Sequence, residues 1–195
     1  MFPGSEFSWE EDPKRFAFTC SRYKFVAKMV QGMNNVLEVG CNDGFFSRIV
    51  KQHVNHLVAM DSDPQAIELA KKNNSDKWNI YFQQWSILDS TVLSQPGFDC
   101  VYCLDVFEHI KDEDTLLKNL SFFSDMCIIG TPSKESQIYA SEVSKKEHVN
   151  CVTKLELRQK MKRYWKHVIT FGMNDEVVHT GFDPMCQYLF GIGFK

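Results

Sequence analysis

No stretch of this 195-residue chain approaches the roughly 20 consecutive apolar residues that a membrane-spanning helix needs. The N-terminus lacks a basic segment followed by an apolar run, so no secretory leader is expected. Charge of neither sign dominates. Lys and Arg number 22 against 25 Asp and Glu, and a net charge of −3 gives no overall field to draw in nucleic acid or an anionic membrane. Repeats, low-complexity tracts and linkers are absent. The seven cysteines are odd in number and scattered, which argues against a disulfide framework and for a reduced, cytoplasmic protein. Cys100 and Cys103 form a C-x-x-C, but positions i and i+3 of a strand face opposite sides, so the pair reads as core packing rather than a zinc or redox centre. What is present is an ordinary globular composition, 44% hydrophobic and 24% charged, long enough for a single domain over 1–195 with a sizeable core.

The chain is organised around Val36-Leu37-Glu38-Val39-Gly40-Cys41-Asn42-Asp43-Gly44-Phe45-Phe46. Branched apolar residues suit a buried strand, and the glycines allow a tight turn. Phe45, Phe46, Ile49 and Val50 then follow at helical spacing. A strand–loop–helix unit of this kind offers unpaired backbone N–H groups to a nucleotide-like ligand at the carboxyl end of a parallel strand. The dinucleotide fingerprint would need glycine at 42 and 45, where Asn42 and Phe45 stand, so a nicotinamide enzyme is disfavoured. Asn42 is the non-glycine residue best suited to a left-handed turn. Leu57 to Asp61 reads as a second buried strand ending in an acid 21 positions after Gly40, the distance at which an acid commonly binds ribose hydroxyls. Asp63, before Pro64, reads as a helix cap.

Strands and helices alternate along the rest of the chain. Strands are expected over 36–40, 57–61, 78–82, 98–104, 125–130, 168–172 and 185–190. Helices are expected over 15–31, 44–53, 64–73, 113–123 and 152–165, the last with Thr153 and Glu156 as a capping box. Phe2, Phe7 and Trp9 make the N-terminal stretch too aromatic for a disordered tail, so residues 1–32 are expected to cap the site. Residues 133–150 read as a polar loop or lid, and a Pro96-Gly97 turn introduces the fourth strand.

The segment E-x-G-x-N-x-G at 38–44, Asp61-Ser62-Asp63-Pro64 and Asp105-Val-Phe-Glu-His-Ile110 together resemble class I S-adenosylmethionine (SAM) dependent methyltransferases of the small-molecule type, and are similar to ubiquinone-pathway O-methyltransferases. The resemblance implies an α/β fold: a Rossmann-like, doubly wound, seven-stranded and mostly parallel sheet with an antiparallel last strand. It implies SAM as cofactor, held by Glu38, Gly40, Cys41, Asn42, Gly44 and Phe45 of the loop. Asp61 and Ser62 follow the second strand, and Asp105 lies near the methionine end. Trp85 and Ser86 stand where the family has glycine and an acid that binds adenine, so adenine would meet a hydroxyl and an indole face instead. In relatives a helix like 15–31 covers the cofactor, which gives Arg22 and Tyr23 a choice between touching it and closing the core edge.

Candidate catalytic residues are His109, His148 and Glu108, each with a structural alternative. A histidine with a pKa near 6.5 suits removal of a hydroxyl proton at neutral pH. Asp105, Glu108, His109 and His148 also resemble the E-x-x-E-H arrangement of metal-dependent RNA 2′-O-methyltransferases and of ubiquinone-pathway O-methyltransferases, with Asp105 in place of the first glutamate. The reading assigns no metal and keeps this as an alternative. The run Lys154, Arg158, Lys160, Lys162, Arg163, Lys166 reads as the solvated face of a helix, or else as a surface for an anionic acceptor. The expected function is methyl transfer to a hydroxyl of a small molecule such as a sugar, with an RNA methyltransferase or a non-catalytic SAM-binding module as alternatives. The oligomeric state is not legible.

Overall fold

The computed structural model describes residues 9–89, 97–181 and 186–195. Phe2, Phe7, Pro96 and the first residue of the strand expected over 185–190 lie outside the described residues. The first long helix is α1 (Pro13–Met29), where the Asp12 carboxylate accepts from the Arg15 N–H at the helix start. The chain then alternates through β1 (Asn35–Val39), α2 (Ser47–Lys51), β2 (His56–Asp61), α3 (Pro64–Asn73), β3 (Tyr81–Gln84), β4 (Cys100–Leu104), α4 (Glu113–Phe123) and β5 (Met126–Pro132). A short α5 (Glu142–Glu147) and α6 (Lys154–Met161) lead to β6 (His167–Asn174), β7 (Val177–His179) and β8 (Tyr188–Phe194).

The strands form one sheet in the order β3-β2-β1-β4-β5-β8-β6-β7. Pairs among β1 to β5 are parallel, while β8 runs antiparallel to both β5 and β6. The expectation of a mostly parallel, Rossmann-like sheet with an antiparallel last strand holds, but the strand count among the described residues is eight rather than seven. The added strand is β7, which returns on β6 through a turn at Asp175, a residue in the left-handed region at φ 51°.

Side chains alternate across β1, and this divides the core. Val36 faces the layer built by Tyr23, Val26, Val50, Ile67 and Ala70 of α1 to α3. Leu37 and Val39 face Leu116, Leu120, Phe123, Leu157, Met161 and Trp165 on the opposite side. All five residues of β4 are buried, including Cys100 and Cys103, which are unpaired thiols in the core. The strand order reverses between β1 and β4, which opens a crevice at their carboxyl ends.

Several boundaries differ from the expected ones. The helix at 44–53 contracts to Ser47–Lys51, and Phe45 sits in the preceding turn, exposed and packed on Phe16 and under the Arg48 guanidinium. The third strand starts at Tyr81, because Trp78 closes a turn on Ser75 and Asn79 takes φ 46°. The stretch 133–150 is structured: it holds a 3-10 turn (Glu135–Tyr139) and α5, the latter capped by Ser141. The Thr153–Glu156 capping box is present, and α6 ends at Met161. Trp9 is exposed and packs edge-on against Phe16. Among the described residues no helix is long and apolar enough to cross a membrane.

Candidate active site

The loop after β1 is shaped by two glycines in the left-handed region, Gly40 at φ 81° and Gly44 at φ 68°. A Cβ on Gly40 would lie 2.2 Å from Val106 Cγ2, and one on Gly44 would lie 2.4 Å from the Phe82 ring. Gly40 therefore lets the loop meet the chain leaving β4, and Gly44 lets it settle on β3. Asn42 sits between them at φ 51°, the left-handed turn expected of it.

The backbone N–H groups of this loop are not the open donors that a phosphate-binding loop presents. Gly40 and Cys41 donate to the Met60 carbonyl at 2.8 and 3.0 Å, and Gly44 donates to the Cys41 carbonyl. Asn42 N–H donates to Asp61 Oδ2 at 2.9 Å, and Phe45 N–H to Asp43 Oδ1. The loop thus offers a surface and a carboxylate rather than a ring of donors. Asp61 also accepts from Asp63 N–H at 3.0 Å, which orients its carboxylate into the crevice mouth. Asp63 caps α3 through Gln65 N–H, as expected.

Glu38 is placed beneath the loop, not in the crevice. It is 1% exposed, and the hydroxyls of Ser47, Tyr23 and Tyr102 face its carboxyl. Burial raises its pKa from 4.5 to about 7 against the lowering effect of those hydroxyls. Gly44 and Phe45 likewise stand outside the cavity lining.

The crevice has two lobes joined at Gly40, Asp61, Ser62, Asp105, Val106 and His109. The smaller, about 190 Å³, is walled by Met60, Trp85, Ser86, Ile87 and Leu88. Asn119 braces that wall by donating to the Ile87 carbonyl at 2.6 Å, and Ser86 Oγ accepts from Leu88 N–H. The larger, about 790 Å³, reaches Cys41, Asn42, Arg22, Tyr23, Glu108 and His148.

Asp105 is held in the left-handed region, φ 55°, where the chain turns out of β4. Arg22 Nη1 donates to both of its carboxylate oxygens, at 3.1 and 3.0 Å, while stacking 3.9 Å from the Tyr188 ring centre. Arg15, Thr19, Arg22 and Tyr23 all line the larger lobe. Their spacing of four, three and one along α1 is one helix face, a periodicity visible in the sequence that would have extended the site to Arg15 and Thr19.

Glu108, His109 and His148 converge. One ligating atom from each lies within 4.8 Å of the other two. His109 Nε2 is 3.9 Å from Glu108 Oε1, and the two imidazole centres are 5.1 Å apart. Glu108 is 1% exposed; burial, and next the charge on Asp105, raise its pKa to about 8. Its Oε2 accepts a hydrogen bond from Thr131 at 3.0 Å. Burial and the neighbouring His109 lower the pKa of His148. Asp105, paired with Arg22, is not one of the converging group. The donor set fits a divalent cation: one carboxylate oxygen and two imidazole nitrogens suit first-row transition ions, and a cation would relieve the cost of ionising the buried Glu108.

Three of the six basic residues in the run 154–166, which begins on α6 and continues past it, are engaged by neighbouring groups. Lys160 and Arg163 pair with Glu113, Arg163 also pairs with Asp114, and Lys154 donates to the Thr180 carbonyl.

Comparison with known proteins agrees with this geometry. The methyltransferase domain family matches residues 36–121. A ubiquinone biosynthesis O-methyltransferase from Haemophilus ducreyi is 25% identical over 105 residues, covering 50% of this chain and 44% of that protein. One from Coxiella burnetii is 30% identical over 86 residues, covering 44% and 36%. The chain thus spans less than half the length of these curated relatives. Among solved structures, a possible histamine N-methyltransferase from Thermotoga maritima superposes with a TM-score of 0.75 at 14% identity, covering 97% of this chain and 93% of that one. The methyltransferase domain of bacterial CtHen1-C superposes at 0.73 with 16% identity, covering 91% and 98%. The fold is that of the Rossmann-like methyltransferases. Residues 36–121 match a methyltransferase domain within a fold shared with methyltransferases, and that pairing implies SAM as the cofactor.

Proposed function

We propose that the chain is an enzyme that transfers the methyl group of SAM to a hydroxyl of a small molecule bearing adjacent hydroxyls, such as a sugar or a catechol. The observation that carries this reading is the convergence of Glu108, His109 and His148 on one point beside the larger lobe. SAM supplies an electrophilic methyl on a sulfonium, so the protein's part is to align, desolvate and deprotonate. Asp61 would take the ribose hydroxyls, and Trp85, Ser86 and Leu88 would enclose the adenine. Asp105 and Arg22 would face the amino-acid arm. Glu108, His109 and His148 would hold a divalent cation, which supplies Lewis acidity that lowers the pKa of a coordinated hydroxyl. An acceptor bearing two adjacent hydroxyls would match a cation site built from Glu108, His109 and His148. Without a cation, His109 would be the group to take the hydroxyl proton.

A small molecule is favoured over RNA because half of the basic run at 154–166, namely Lys154, Lys160 and Arg163, is engaged by neighbouring groups. The RNA reading draws on the fold likeness to the small RNA methyltransferase HEN1, with a TM-score of 0.67 at 17% identity. The test is transfer of labelled methyl from SAM to a panel of catechols, sugars and short RNAs, with manganese or with EDTA. Transfer to a catechol or sugar that EDTA and His109→Ala both abolish supports the proposal. Transfer that ignores EDTA removes the cation from it, and transfer to RNA alone overturns the acceptor class. SAM binding without transfer to any acceptor would favour a non-catalytic module.

A further inference from the structure

The two histidines of the converging group are each held from behind, and the holding groups decide which ring nitrogen carries the proton. His109 Nδ1 lies 3.2 Å from the Glu147 carbonyl oxygen. A carbonyl only accepts, so Nδ1 is the protonated nitrogen and the lone pair resides on Nε2, the atom facing Glu108. His148 Nδ1 lies 2.9 Å from Gln137 Oε1. Here the partner is an amide, which accepts through oxygen but donates through nitrogen, so its orientation matters. That orientation is fixed on the far side, because Gln137 Nε2 donates to the Ser133 carbonyl at 3.3 Å. The amide oxygen must therefore point at His148, and His148 too carries its proton on Nδ1 and its lone pair on Nε2.

Ser133 is a rigid anchor for this chain of contacts. It is buried at the end of β5, its N–H donates to the Gln187 carbonyl at 3.0 Å, its hydroxyl donates to the Cys186 carbonyl, and it bridges to Val152. His148 by contrast lies just past the end of a six-residue helix. We propose that Gln137 is the positioning residue that ties His148 to the sheet and fixes its tautomer, so that both imidazoles present Nε2 to the same point. This rests on the reading of Glu108, His109 and His148 as a cation site. It adds a residue that touches neither cation nor acceptor, and it makes the segment 133–150 part of the site rather than a cover over it.

The experiment compares Gln137→Leu, which removes the acceptor, with Gln137→Glu, which keeps one. Two readouts are taken on the full chain: the ring-nitrogen shifts of His148 by ¹⁵N NMR without metal, and the binding isotherm of cobalt(II), followed by its visible absorption. The wild-type protein should show His148 protonated on Nδ1. Gln137→Leu should lose that preference and bind cobalt about 10–100-fold more weakly, the usual penalty for removing a partner of a ligating histidine. Gln137→Glu should restore both, while thermal melts of the two variants confirm that each is folded. An unchanged His148 tautomer and unchanged cobalt affinity in Gln137→Leu would overturn the inference. Absence of cobalt binding by the wild-type protein would instead overturn the cation site, and the NMR readout would still decide whether Gln137 sets the tautomer.

Discussion

Glu38→Gln tests whether the carboxyl beneath the cofactor loop is buried as the structure has it. Wild-type Glu38 has its pKa raised by burial from 4.5 to about 7. Between those values the folded state holds a proton that the unfolded chain has already released. Stability is then greatest below pH 4.5 and falls as pH rises, until the folded carboxyl has also ionised near pH 7. At about 1.4 kcal/mol per pH unit, the loss across that window is about 3 kcal/mol. Glutamine has the shape of the neutral acid and no proton to lose, so the variant should not pay this penalty. Urea unfolding of both proteins at steps from about pH 4.5 to pH 8 gives the two stability curves. Their difference should shift by about 3 kcal/mol in favour of Glu38→Gln as pH rises, and flatten above about pH 7. Glu108, whose pKa is raised to about 8, titrates in both proteins and cancels in the difference. Curves that stay parallel across the range would refute the burial of an ionisable Glu38 beneath the loop.

Other substitutions test other contacts. Asp61→Ala removes the acceptor for Asn42 and Asp63 N–H as well as the expected ribose contact, and should weaken S-adenosylhomocysteine binding by roughly ten- to a hundredfold in calorimetry. Gly44→Ala places a methyl 2.4 Å from the Phe82 ring at a positive φ, and should destabilise the fold by about 2–3 kcal/mol in urea unfolding, a loss that Phe82→Leu should partly relieve. Thr131→Val leaves Glu108 Oε2 buried without its donor and should cost about 1–3 kcal/mol at a pH where Glu108 is ionised, with less effect in acid, again by urea unfolding.

The parallel half of the sheet was legible because its signals are local. A buried apolar run, a turn residue and a helix cap follow one another in sequence, and Asn42, Asp63 and the Thr153–Glu156 box behave as their chemistry dictates. The eighth strand was missed because β7 is three residues long, although Asn174-Asp175-Glu176 before Val177-Val178 carries a turn signal. Glu38 was read as part of the cofactor loop, since its neighbours Tyr23 and Tyr102 come from α1 and β4 and no sequence spacing places them around it. The same limit applies to the site. Asp105, Glu108, His109 and His148 were all visible as residue types, but only the fold separates Asp105, bound to Arg22, from the other three. Gln137 gave no signal at all, because its role depends on an amide held between Ser133 and His148.

The central claim is that the crevice between β1 and β4 is a SAM site bordered by a cation site. Calorimetric titration of the purified chain with S-adenosylhomocysteine, alone and with manganese, with NAD as the comparison, addresses it most directly. The account predicts one site per chain with a Kd of about 1 μM, no binding of NAD, and a separate manganese isotherm that His148→Ala abolishes. Failure of the wild-type protein to bind S-adenosylhomocysteine, with or without manganese, would contradict it.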